Sequence, residues 1–201
     1  MTRVLIAEDQ EMVRGALVAL LRLEEDIEVV AEVGRGDQVL EAALTAQPDV
    51  ALLDIEMPGR DGIEVASELR EHLPGCRILM LTTFGRPGYL RRAMENGASG
   101  FLLKDAPARA LALAIRRTAS GQRVVDPVLA ASALSEGGSP LSTREREVLA
   151  ASSGGASVAV LARSLHLSEG TVRNHLSAAI QKVNARNRAE AARIAQEKGW
   201  L

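Results

Sequence analysis

Short apolar runs return at intervals through the first 120 residues, at Val4–Ala7, Glu28–Val33, Val50–Asp54, Ile78–Thr82 and Gly100–Leu103. Between them, apolar residues fall at helical spacing over Met12–Leu23, Asp37–Ala46, Ile63–Leu73, Tyr89–Asn96 and Pro107–Ser120. Continuous apolar runs, rather than alternating ones, are the mark of strands covered on both faces. Five strand–helix units therefore predict an α/β fold with a five-stranded, doubly wound parallel sheet. Its functional crevice should lie beyond the carboxyl ends of the strands. Pro48, Pro58-Gly59 and Pro74-Gly75 interrupt the pattern where these elements should meet. Pro107 suits a helix start and Gly97 a helix end.

The pattern changes after residue 120. A short apolar patch in Gly121-Gln-Arg-Val-Val-Asp-Pro127 and a brief turn at Ala130–Leu134 lead to Ser135-Glu-Gly-Gly-Ser-Pro140, whose composition is that of a linker. Residues 121–140 are read as the connection, with the flexible joint near 135–140. Residues 141–201 show no strand pattern. Helices are expected at Thr143–Ala151, Val158–Ser164, Glu169–Val183 and Arg188–Lys198, forming an all-α four-helix unit. Ser142, with Glu145 three residues on, has the form of a capping box, and Ser168 and Asn187 suit N-caps. Two short helices, a tight turn at Leu165–Ser168 and a longer helix make a helix-turn-helix.

Charge separates the two halves. Residues 1–120 carry 14 basic and 19 acidic residues, a formal −5, whereas residues 141–201 carry 9 and 5, a formal +4. The first half suits a cation and the second a polyanion. Aromatic residues make up only 2 % of the chain, so the cores must be built from aliphatic side chains. Cys76 stands alone and is expected at the start of a buried strand. With no basic-then-apolar leader and no apolar run near 18 residues, a soluble, cytoplasmic chain is expected.

The candidate chemistry lies at strand ends. Glu8 and Asp9 close the first run, Asp54 the third, Thr82 the fourth and Lys104 follows the fifth. Carboxylates crowded in one crevice repel unless a cation sits among them. Mg²⁺ suits such an oxygen set. With a hydroxyl and an ammonium added, the crevice has the parts for phosphoryl transfer to an aspartate. Neither a Gly-x-x-x-x-Gly-Lys-Ser/Thr nor a Gly-x-Gly-x-x-Gly loop follows the first strand, which counts against nucleotide-binding enzymes.

Glu8-Asp9, Asp54 with Met57-Pro58-Gly59, Thr82, and Phe101 before Lys104-Asp105 together resemble the receiver domain of bacterial two-component response regulators, a flavodoxin-like fold. The resemblance covers residues 1–120. It implies that Asp54 accepts the phosphoryl group. Glu8, Asp9, Asp54 and the backbone carbonyl of Glu56 would hold Mg²⁺. Thr82 and Lys104 would contact the phosphoryl group, and Phe101 would turn inward as Thr82 is drawn toward it. Thr83 should face away from the site by strand alternation. Glu56, two residues past the acceptor, is also a candidate for tuning dephosphorylation.

In the third helix of the second unit, Val172, Leu176, Ala179, Ile180 and Val183 form the inward stripe. Arg173, Asn174, Ser177 and Gln181 lie off it, and arginine and asparagine suit base edges. Thr171, His175 and Lys182 are candidates for phosphates. Leu141–Leu149, Leu167–Leu176 and Lys182–Ala191 resemble the LuxR/NarL-type DNA-binding domain. The resemblance makes Glu169–Val183 the recognition helix, with Arg173, Asn174 and Ser177 facing bases. It also puts the DNA-bound dimer contact on the last helix, around Arg188–Arg193. The stretch Ser153–Ala162 departs from the pattern, because Val158 and Val160 stand where polar residues are usual.

Together the halves resemble a response regulator of the NarL/FixJ family, near its DesR-like branch, on the run Leu81–Met94. The implied partners are promoter DNA, a membrane-bound sensor histidine kinase and a second copy of the chain on phosphorylation. Met12, Val13, Leu17, Leu111 and Ile115 are the apolar candidates for a receiver interface between the first and fifth helices. The face of the fourth and fifth helices is the alternative. Two other functions compete. An aspartyl-phosphate phosphatase would want its nucleophile after the first strand. A DNA-binding regulator using its front domain only as a dimerisation scaffold would not need the acid–hydroxyl–lysine set.

Overall fold

The computed structural model describes residues 1–83, 87–127, 129–131 and 139–201. The joint expected near 135–140 and the turn at 130–134 lie largely outside the described residues. In the first unit, β1 (Thr2–Ala7), β2 (Ile27–Val33), β3 (Val50–Asp54), β4 (Arg77–Thr82), β5 (Gly100–Leu103) and β6 (Val124–Val125) form one sheet in the order β2-β1-β3-β4-β5-β6. All pairings are parallel. Helices α1 (Glu11–Leu21), α2 (Val39–Ala46), α3 (Gly62–His72), α4 (Pro87–Glu95) and α5 (Ala108–Ala119) connect the strands. Every residue of β3 is buried, as its unbroken apolar run requires.

Two features differ from the pattern read along the chain. The sheet has a sixth strand, Val124–Val125, paired with Gly100 and Phe101. Two residues carry no period, so nothing local distinguishes this strand from a connection. The second expected helix is divided, because Gly36–Gln38 is a 3-10 turn ahead of α2. Cys76 lies buried immediately before β4, where burial pushes its thiol up to about 12.

One core layer places Val4, Ile6, Leu52, Leu79 and Leu81 of the sheet against Val18 and Leu21 of α1 and Leu111, Ala112, Ala114 and Ile115 of α5. This overturns two interface candidates. Ile115 is 0 % exposed and Leu111 is also core. The α5 stripe that faces the sheet uses both, leaving Leu113 on the outside at 47 % exposed. Leu17 also packs partly against this layer, Val13 is half-buried, and Met12 is 88 % exposed.

In the second unit, α6 (Thr143–Ser152), α7 (Val158–Ser164), α8 (Glu169–Lys182) and α9 (Arg188–Glu197) form the helical domain. Ser142 and Glu145 make the reciprocal capping box, and Ser157, Ser168 and Asn187 cap the next three helices. Side-chain oxygens thus satisfy N–H groups that each helix start leaves without an intrahelical acceptor. Val148, Leu149, Leu161, Val172, Leu176, Ala179, Val183 and three alanines of α9 form the core, with Val158, Ile180 and Trp200 packed at its margin. Val158 therefore serves packing, while Val160 is 44 % exposed.

Candidate phosphoacceptor site and nucleic-acid interface

Strand register brings the chemical residues together. Ala7 pairs with Leu53, Asp54 with Leu81, and Thr82 with Leu103. Glu8, Asp54, Thr82 and Lys104 consequently emerge together at the carboxyl-terminal end of the sheet. The Lys104 amide donates to the Thr82 carbonyl at 2.9 Å, tying the last two strands at this point. Gly62 begins α3 directly under the acceptor: a Cβ there would lie 2.0 Å from the Asp54 carbonyl oxygen. Asp61 caps the helix by accepting from the Glu64 amide at 2.7 Å. The β3–α3 loop is thereby held close behind Asp54.

Lys104 is the centre of the buried charge. Its Nζ donates to Asp54 Oδ2 at 2.8 Å and lies 2.7 Å from Glu8 Oε2. Asp54 Oδ1 accepts from the Ile55 amide at 2.8 Å, and Glu8 Oε1 from the Gln10 amide at 3.2 Å. Glu8 and Asp54 are both buried, whereas Asp9 is exposed. Burial pushes both buried carboxyls above the usual range, and Lys104 pulls them back without cancelling the effect. Burial would lower the Lys104 ammonium, but bonds to Asp54 and Glu8 outweigh it and hold the lysine above its ordinary value.

A cavity of about 140 Å³ opens on this cluster, lined by Asp9, Gln10, Asp54, Glu56, Thr82 and Thr83. Thr83 was expected to face elsewhere. The strand ends at Thr82, so strict alternation no longer applies beyond it. Gln10 is a second residue that the strand-end pattern did not reveal. Ligand oxygens of Glu8, Asp9 and Asp54 lie within 4.8 Å of one another. Three carboxylates face one ammonium, so the donor set and its excess negative charge fit a hard divalent cation. Phe101, in register with Met80, is fully buried.

On α8, Arg173, Asn174, Ser177 and Gln181 are exposed, and Thr171 and His175 are half-buried. Arg173 donates from Nη2 to Glu169 Oε2 at 2.6 Å, one helical turn back. Thr171 is held by Ser168, through its amide at 3.1 Å and between hydroxyls at 2.8 Å. Two of the candidates also have partners inside the domain. Lys182, expected at a phosphate, donates to both oxygens of buried Glu145 at 2.9 and 2.8 Å, fastening α8 to α6. This bond holds the Glu145 carboxyl below its usual range. Arg188, expected at a dimer contact, donates to the carbonyls of Ala156 at 2.8 Å and Gly155 at 3.4 Å. It thereby closes the α6–α7 loop.

Residues 4–116 match the response regulator receiver domain family, and residues 139–195 the luxR family of bacterial regulatory proteins. The chain is 48 % identical over 203 residues to the uncharacterized transcriptional regulatory protein YvfU of Bacillus subtilis (strain 168). It is 45 % identical over 201 residues to the transcriptional regulatory protein DesR of the same organism. Both alignments cover 100 % of each chain. Among solved structures, the response regulator ChrA of a heme-sensing two-component system aligns with a TM-score of 0.59 at 37 % identity, over 100 % of this chain and 98 % of that one. A structure of two RcsB dimers bound to two parallel DNAs aligns with a TM-score of 0.70 over 98 % of each chain. Its 24 % identity makes that a likeness of fold alone. A receiver domain followed by a LuxR-type helix-turn-helix, in a chain whose full-length relatives are transcriptional regulators, means that this protein belongs to the DNA-binding transcriptional response regulators of the DesR/NarL type and not to the turnover enzymes.

Proposed function

We propose that Asp54 is the phosphoacceptor through which a sensor histidine kinase controls promoter binding. The carrying observation is Lys104 bonded to Asp54 and set against Glu8, beside a cavity that Thr82 also lines. In the transfer, an Asp54 oxygen bonds to phosphorus as the bond from phosphorus to the kinase's histidine nitrogen breaks. The imidazole keeps that electron pair. Lys104 favours the ionised acceptor against the burial that opposes it and then faces the added charge, while the Thr82 hydroxyl donates to a phosphoryl oxygen. Asp9, Asp54 and the Glu56 carbonyl would hold Mg²⁺, backed by Glu8. The metal would supply charge neutralisation at the phosphoryl oxygens.

Drawing Thr82 toward the phosphoryl group alters the packing around Phe101. That biases the receiver between two arrangements and favours a dimer. The exposed apolar residues Met12 and Leu20 of α1 and Leu113 of α5 supply the surface. Dimerisation makes the second half-site contact nearly intramolecular, which strengthens binding without new base contacts. Arg173, Asn174 and Ser177 read bases, and Thr171 and His175 fix the register on phosphates. The match of residues 139–195 to the luxR family of bacterial regulatory proteins supports this reading. The division of labour is a receiver whose sheet runs through Val124–Val125, a connection after it and 141–201 as the DNA reader, in the cytoplasm. No described helix is long and apolar enough to cross a membrane.

The test is incubation with a small phosphodonor and Mg²⁺, followed by intact-mass measurement. Wild type should gain one acid-labile phosphoryl group and Asp54→Asn none. Equal labelling of the two proteins would move the acceptor elsewhere.

A further inference from the structure

Arg14, on α1, takes no part in the acid–lysine cluster, yet it reaches the backbone that carries it. Its Nη1 donates to the Glu8 carbonyl oxygen at 2.6 Å, and the bond is partly buried. That carbonyl belongs to the peptide joining Glu8, which backs Lys104, to Asp9, the exposed carboxylate of the cluster. The Glu8 amide on the other side is already fixed, donating to the Val33 carbonyl at 3.1 Å. Arg14 therefore holds the last unpinned polar group of the Glu8 backbone, and with it the plane from which the Asp9 side chain departs.

A second, separate feature makes room for this contact. Gly34, which follows β2, has no side chain where one would meet the guanidinium. A Cβ built there would lie 3.0 Å from Arg14 Nη1 and 3.9 Å from the Glu8 carbonyl oxygen. No left-handed backbone angle demands glycine at this position. Two elements thus converge on one carbonyl: α1 brings the donor, and the end of β2 leaves the space.

We propose that Arg14, seated in the gap left by Gly34, is a positioning residue for the metal-holding carboxylate Asp9. It acts on cation affinity through the Glu8–Asp9 peptide and touches neither metal nor phosphoryl group. The inference rests on the reading of Glu8, Asp9 and Asp54 as the Mg²⁺-holding set. Supports of this kind, one layer behind a ligand, typically govern metal affinity by about ten- to a hundredfold.

The experiment is calorimetric titration of the full chain with Mg²⁺ alone, with thermal melting in its absence as the folding control. Arg14→Met keeps the aliphatic stem and removes the donor. It should raise the Mg²⁺ dissociation constant about tenfold. Arg14→Lys retains one donor and should stay within about threefold of wild type. Gly34→Ala should weaken Mg²⁺ by crowding the guanidinium, and it should add nothing when combined with Arg14→Met, because both act on the same contact. The proposal is overturned if Arg14→Met binds Mg²⁺ as wild type does, or if Arg14→Lys is as weak as Arg14→Met. Full additivity of Gly34→Ala with Arg14→Met would overturn it as well. Failure of the site reading itself looks different: wild type would then bind no Mg²⁺, or Asp54→Asn would bind it as wild type does.

Discussion

At the residue scale, Asp54 and Glu8 are two buried carboxylates held above their ordinary range, with one lysine between them. The folded state binds protons more readily than the unfolded chain at these groups. The contribution of these two groups to stability without metal therefore falls as pH rises through the carboxylate range toward their raised folded values. Asp54→Asn keeps the shape and removes one charge. Its melting temperature near pH 7, without metal, should exceed that of wild type, and its stability should depend less on pH across that range. A lower melting temperature for Asp54→Asn would contradict this balance. Mg²⁺ should raise the wild-type melting temperature and leave Asp54→Asn nearly unmoved. Much of this site was legible along the chain, because each member closes or follows a continuous apolar run and parallel strands end together. Gln10 and Thr83 were not, since they lie on loops where period carries no information. The internal partners of Lys182 and Arg188 were not legible for another reason. These partners are 37 and 32 residues away, and a cation looks like a surface contact until the fold supplies its acceptor.

At the element scale, α5 shows how far periodicity reaches. Its helical spacing marked Ala108–Ala119 closely, but Leu111, Leu113 and Ile115 all look apolar until the sheet chooses a face. Ile115→Ala should cost about 2–5 kcal/mol in urea unfolding, by loss of burial and a cavity. Leu113→Ala should stay within about 0.5 kcal/mol. Equal effects would contradict the assigned face. Strand β6 was missed because two residues paired only by their neighbour have no signature of their own. In the second unit the helix starts were legible, since Ser142, Ser168 and Asn187 are caps with a local mechanism. The Glu145–Lys182 tie needed the tertiary structure. Glu145 titrates below its ordinary value of 4.5 when folded, so its contribution is present above about that pH and is lost as pH falls through the folded value. Glu145→Gln can still serve the capping box but loses the ion pair. It should lower the unfolding midpoint at pH 7 and flatten the decline between pH 7 and 4. Trp200, the chain's single tryptophan, packs on this core and reports the transition by fluorescence. An unchanged midpoint and slope would show that the tie contributes nothing.

At the scale of the whole molecule, the charge division and the change of period near residue 120 made two units legible, and the two family matches fall on either side of that change. How phosphorylation of one unit reaches the other was not legible, because it depends on a second copy of the chain and on DNA. The central claim is that Asp54 governs DNA binding without contacting DNA. Its most direct test is titration of a promoter fragment with wild type and Asp54→Ala, each with and without a small phosphodonor and Mg²⁺. Phosphodonor and Mg²⁺ should strengthen wild-type binding at least about tenfold through dimerisation, while Asp54→Ala stays at the untreated level. Equal binding by both proteins in all conditions would contradict it, leaving the receiver as a dimerisation scaffold.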